Sequence, residues 1–80
     1  MDVVFLGTNG WYDSGTGNTI SVLIRTVDFD VVLDAGYGIA KMDRYAAPGR
    51  DTFLFLSHFH LDHIAGLHTL CKFRFGRLTV

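Results

Sequence analysis

The apolar positions of the chain fall into short runs, separated by glycine, asparagine and aspartate. Val3 to Leu6 is a run of the length a short buried strand needs. Ile20 to Val27, ISVLIRTV, carries aliphatic and β-branched residues at strand density. Asp28, Phe29 and Asp30 then read as a tight connection, and Val31 to Leu33 as the returning strand of a hairpin, ended by Asp34, Gly36 and Gly38. IAKMDRYA, from Ile39 to Ala46, predicts a short helix closed by Pro48 and Gly49. TFLFL, from Thr52 to Leu56, predicts a strand of the kind buried on both faces. From His63 to about Cys71 the pattern turns helical, with Ile64, Leu67 and Cys71 forming one apolar stripe. RLTV at the end predicts the start of another strand. The order β, ββ, α, β, α, β implies a sheet with helices returning over it, an α/β layered arrangement. Eighty residues hold one domain at most.

GTNGWYDSGTGNT, from Gly7 to Thr19, predicts a loop. It lacks Gly-Lys-Ser/Thr and so is not a phosphate-binding P-loop. Trp11 and Tyr12 lie in it, expected to pack beneath the loop, the alternative being contact with a substrate. The composition, 49% hydrophobic and 19% charged, is that of a folded domain and excludes disorder. A net charge of -1 gives no bulk attraction to nucleic acid. Lys72, Arg74 and Arg77 read as a solvated basic face. No apolar run approaches the roughly 20 residues of a membrane span. The opening MDVVFLGTNG has an acid where a signal peptide needs base. Cys71 is the only cysteine, so no intrachain disulfide forms, and its place on the helical stripe makes it a core residue. A cytoplasmic location is the expectation.

The chemistry is concentrated in LSHFHLDHIAGL, Leu56 to Leu67, where His58, His60, Asp62 and His63 stand among apolar neighbours. Residues two apart on extended backbone point to the same side, so His58 and His60 can reach one ion. Asp62 and His63 follow where strand gives way to helix and can enter the same cleft from another direction. Imidazole suits zinc and similar metals. A carboxylate beside imidazoles suits a second ion or accepts a proton from activated water. His68, five residues beyond His63, is rotated away from this face on a helix and is not expected to be a ligand. Asp34 reads as a cap at the strand end.

HFHLDH, His58 to His63, resembles the His-x-His-x-Asp-His signature of the metallo-β-lactamase superfamily, and VVLDAG, Val31 to Gly36, resembles the strand-Asp-x-Gly element that precedes it there. FLGTNG and GNTIS are similar to the opening of the branch containing ribonuclease Z and related phosphodiesterases. The resemblance implies the N-terminal half of a four-layer αββα sandwich, residues 1–80 being the first part of one domain whose second half is absent. It implies that His58 and His60 hold one metal and Asp62 and His63 a second, zinc with manganese or iron as alternatives. It also makes Asp62 the catalytic proton acceptor and Asp34 a support of the metal loop. The chain departs from the pattern after His68, where TLCKFRFGRLTV supplies no Asp, Glu or His for the ligands that complete the family site. It departs again at Leu61, where many ribonuclease Z sequences carry Gly.

The implied function is a metal-dependent hydrolase: metal-bound hydroxide attacks a phosphodiester, in a small molecule or in RNA, and the fragment alone is inactive. Thioester, sulfate ester and lactam are alternative substrates. A non-catalytic metal-binding fragment, or an interaction module that pairs with the missing C-terminal half or a partner chain, are the alternatives outside enzymology.

Overall fold

The computed structural model describes residues 1–80. Five strands form one sheet in the order β1-β2-β3-β4-β5. They are β1 (Asp2–Gly7), β2 (Ser21–Arg25), β3 (Phe29–Leu33), β4 (Asp51–Phe55) and β5 (Leu78–Thr79). The first three are antiparallel, and β4 and β5 join in parallel after crossovers. The expected strands are all present. The expected helix at Ile39–Ala46 is a 3₁₀ helix, Tyr37–Arg44. With three residues per turn, Ile39 and Met42 eclipse on one face, and both are buried.

The sheet has one covered face and one open face, and alternation along each strand sets which residue goes where. Leu6, Leu23, Val32 and Leu54 point to the covered side and join Ala35, Ile39 and Met42 in the core. Full burial of each large aliphatic there is worth roughly 1.5–3 kcal/mol. On the other side the register aligns Val3 with Ile24, Phe5 with Val22, Val31 with Phe53 and Leu33 with Phe55. Phe5 is 69% exposed and Phe55 59% exposed, so that side is uncovered in these eighty residues. The expectation of burial on both faces of the fourth strand is therefore corrected. Thr52 and Leu54 are buried while Phe53 and Phe55 are exposed, because both 3₁₀ helices pack on the same side.

The helix expected from His63 to Cys71 is broken into two pieces. A single α turn, α1 (Leu61–Ile64), is followed by a 3₁₀ helix, Leu67–Lys72. The break falls at Gly66, which is buried and whose N–H donates to the carbonyl of Ala35 at 2.7 Å. A Cβ at Gly66 would run into the backbone carbonyl of Gly36, so close approach of two chain segments, not helical propensity, decides this stretch. With the stripe interrupted, Cys71 is exposed, against the expectation that it is core. At the far end of the sheet Arg50 ties the β2–β3 turn together. Its Nε donates to the buried Asp30 carboxylate at 3.0 Å, and its Nη atoms donate to the carbonyls of Thr26 and Val27.

Candidate metal centre

The cluster sits directly after β4, and the turn after β3 builds its floor. Asp34 takes a left-handed backbone conformation, φ 62°, which Asp tolerates better than most residues. This turns the chain sharply and places a carboxylate under the histidine loop. The segment Asp34–Gly36 is then stitched in place by its backbone. Asp34 N–H donates to Phe55, Ala35 N–H to His63 and Gly36 N–H to Ile20, each at 2.8 Å. Gly36 has no room for a side chain: a Cβ would lie 2.7 Å from the backbone N and O of Ile20, and closer still to the carbonyl of Asp62.

Asp34 is thus more than a strand cap. Its carboxylate accepts from the Ser57 N–H at 2.7 Å, from the Ser57 hydroxyl at 2.8 Å and from His63 Nδ1 at 2.9 Å. Burial pushes the carboxyl up, but the hydrogen bonds from Ser57 and His63 outweigh it and hold Asp34 below its ordinary value. In the neutral imidazole that binds metal, an ionised Asp34 fixes the proton of His63 on Nδ1 and leaves the lone pair on Nε2. The Ser57 hydroxyl has one proton, given to Asp34, so it accepts from His58 Nδ1, 2.9 Å away. That assigns His58 the same tautomer, again with Nε2 as the free donor.

Asp62 enters from α1, where His60 is the N-cap residue and the His63 N–H donates to its carbonyl at 2.9 Å. One carboxylate oxygen of Asp62 accepts from the backbone N–H of Trp11 at 3.0 Å. That hydrogen bond, offset in part by burial and aided by the neighbouring His63 and His60, holds Asp62 below its ordinary value. The same oxygen lies 3.4 Å from His63 Nε2.

All four candidates are brought together. The ring of His58 lies 4.6 Å from that of His60 and 3.9 Å from that of His63, centroid to centroid. The side chains face one another, and no three of them aim at a single coordination point. His63 and Asp62 form the partly buried half of the cluster, and His58 and His60 the exposed half. The donor set fits zinc. Two ligands about 2.0 Å from a tetrahedral ion are about 3.3 Å apart, close to the separation of His63 Nε2 and the Asp62 oxygen. His68 lies elsewhere, with Nδ1 2.9 Å from the carbonyl of Ala65 and its ring edge-on to Tyr37.

Sequence reasoning missed two contributors. Ser57 had no signal beyond preceding His58, since only the fold brings Asp34 beneath it. The Trp11 N–H is a backbone group 51 residues from Asp62 in sequence, invisible to any motif. The expectation for the aromatic pair is also corrected. Trp11 is 87% exposed and Tyr12 is 74% exposed, so neither packs under the loop.

A sequence profile of the metallo-beta-lactamase superfamily matches residues 14–75. This chain belongs to that superfamily. It is 36% identical over 74 residues to ribonuclease Z of Pyrococcus furiosus, a match covering 90% of this chain and 24% of that protein. Among solved structures it is similar to human tRNase Z, short form, with TM-score 0.77 and 37% identity over 90% of this chain and 29% of that one. The metallo-beta-lactamase fold protein YhfI from Bacillus subtilis superposes with TM-score 0.67 at 25% identity, covering 82% of this chain and 27% of the other. The chain spans about a quarter of the length of these relatives. The five-stranded sheet covered on one side is the fold of the N-terminal half of the family's α/β sandwich.

Proposed function

We propose that these residues are the metal-binding half of a metal-dependent phosphodiesterase whose substrate class is RNA. The observation that carries the reading is the orientation of His63. Asp34 holds its Nδ1 at 2.9 Å, and its Nε2 stands 3.4 Å from an ionised Asp62. The names of two relatives, ribonuclease Z and tRNase Z, support the reaction and substrate class. Zinc at such a cluster supplies a Lewis acid for a phosphoryl oxygen and lowers the pKa of water. His58 and His60 would hold one ion, Asp62 and His63 a second. Asp62, kept anionic by the Trp11 N–H, is the proton acceptor. Asp34 and Ser57 hold the imidazole tautomers and touch no substrate.

We propose further that the eighty residues alone are inactive. Four donors shared by two ions leave about two each, where catalytic zinc normally keeps three. The uncovered sheet face supports the same conclusion, and the remainder of the protein, or a partner chain, covers it. We propose a cytoplasmic location with this reading. No helix is long and apolar enough to cross a membrane.

The test is zinc competition against a chromophoric chelator, followed by hydrolysis of a generic phosphodiester by the complete protein. The double variant His58→Ala/His60→Ala is expected to lose tight zinc binding. Asp62→Ala is expected to lose more in hydrolysis than in zinc affinity. Parent-like zinc binding by the double variant would sink the site assignment. Turnover of thioesters or sulfate esters but not phosphodiesters would move the substrate class and leave the metal site standing.

A further inference from the structure

Trp11 is the only tryptophan in the sequence, and it is placed in an unusual way. Its indole is 87% exposed, although large aromatics normally earn their place by burial. Its φ is 70°, a left-handed conformation that is an outlier for a bulky residue. The loop that carries it is nonetheless pinned. Asn9 N–H donates to Asn18 at 2.9 Å, Thr19 N–H to the Asp13 carboxylate at 2.5 Å, and Asn18 Nδ2 to the same carboxylate at 3.2 Å. The Trp11 N–H itself is anchored on Asp62. The result is an exposed indole carried by a pinned backbone, on the rim of an open cleft of about 480 Å³ lined by Trp11, His60, Leu61 and Asp62.

We propose that Trp11 is a stacking platform for a nucleobase adjacent to the phosphodiester at the histidine cluster. The inference rests on the phosphodiesterase reading of that cluster and names what lies beside the reacting group. Two features select a base over another occupant. The polar wall of the cleft, His60 and Asp62, belongs to the cluster that would hold the phosphodiester, so a ligand reaching Trp11 is tethered to a phosphate. The other wall, Leu61 and the indole, offers flat apolar surface and no charged group to read a base edge. Such a site grips any base by its π face and discriminates little among them.

The test compares adenosine 5′-monophosphate with ribose 5-phosphate, which lacks the base, by calorimetric titration of the complete protein with zinc present. Both carry the phosphate, so their ratio isolates the base. The parent is expected to favour the nucleotide by roughly 5- to 150-fold, the range one stacked base supplies. Trp11→Gly keeps the N–H that anchors Asp62 and relaxes the backbone, and it is expected to erase the preference. Trp11→Phe is expected to retain most of it. A parent that does not distinguish the two ligands, or a Trp11→Gly variant that still does, overturns the proposal. So does a Trp11 indole, read as the difference in fluorescence between the complete parent protein and its Trp11→Phe variant, that is shielded from acrylamide quenching, since another part of the protein then covers it. Failure of the zinc site itself shows instead as loss of zinc binding by the parent, a separate measurement.

Discussion

One carboxylate organises the histidine cluster. Asp34 accepts from the backbone and hydroxyl of Ser57 and from His63, and through Ser57 it also sets the tautomer of His58. None of these contacts involves a substrate, yet both Nε2 lone pairs depend on them. Asp34→Asn keeps the size of the side chain and replaces one acceptor oxygen by a donor. The new NH₂ then faces either the His63 N–H or the Ser57 backbone N–H, and one proton loses its acceptor. Zinc affinity is expected to fall about 10- to 100-fold, the usual effect of losing a group that orients a metal-bound histidine. Stability is expected to fall by about 1–3 kcal/mol. Chelator competition and urea unfolding measure the two effects. Unchanged zinc affinity in Asp34→Asn would mean that Ser57 and His63 are oriented by something else.

Among the elements, the least regular one matters most for the site. The turn α1 ends after Ile64 so that Gly66 can pass against Ala35 and Gly36. A continuous helix from His63 would keep its backbone bonds but lose this contact, and His63 would lose the carbonyl bond that fixes it to Ala35. Gly66→Ala therefore forces backbone against backbone. It is expected to destabilise by roughly 1–3 kcal/mol, as overpacking does, and to lower the thermal midpoint. Gly15→Ala, where a Cβ meets nothing within 4 Å, is the control and is expected to be close to neutral. Equal midpoints for the two variants would refute the close approach. The strands were legible in the sequence because short apolar runs, rich in aliphatic and β-branched residues, are bounded by turn residues. The helix break was not. The i, i+3, i+7 pattern of Ile64, Leu67 and Cys71 is local, and the Gly36 carbonyl that opposes it is 30 positions away.

For the whole molecule the governing fact is the open sheet face. Phe5, Phe29, Leu33, Phe53 and Phe55 stand exposed on it, with Phe29 edge-to-face on Phe53 at 5.5 Å. Apolar area of this kind, several aromatics wide, exceeds what soluble monomers usually show and is covered in a stable protein. The isolated eighty residues are accordingly expected to self-associate. Light scattering after gel filtration should give a dimer or larger species, and Phe53→Lys/Phe55→Lys should shift it towards monomer without disturbing the core, since both side chains point away from Leu54 and Val32. A parent chain that is already monomeric at high concentration would contradict this.

The sequence by itself determined the succession of strands along the chain, the position of the cluster and its chemical character. His58, His60, Asp62 and His63 lie close along the chain, so a short turn suffices to gather them, and imidazole with carboxylate is metal chemistry in any fold. The superfamily was legible for the same reason, because its signature is contiguous. Tertiary structure alone decided which ring nitrogens carry protons, since that depends on Asp34, which is 29 positions from His63. It alone decided that Trp11 caps Asp62 and stands in solvent, and that the apolar β4 strand has one face bare. Each of these is a contact, or a missing contact, between segments distant in sequence, and a period of two or of 3.6 residues records only what a segment does with its own neighbours.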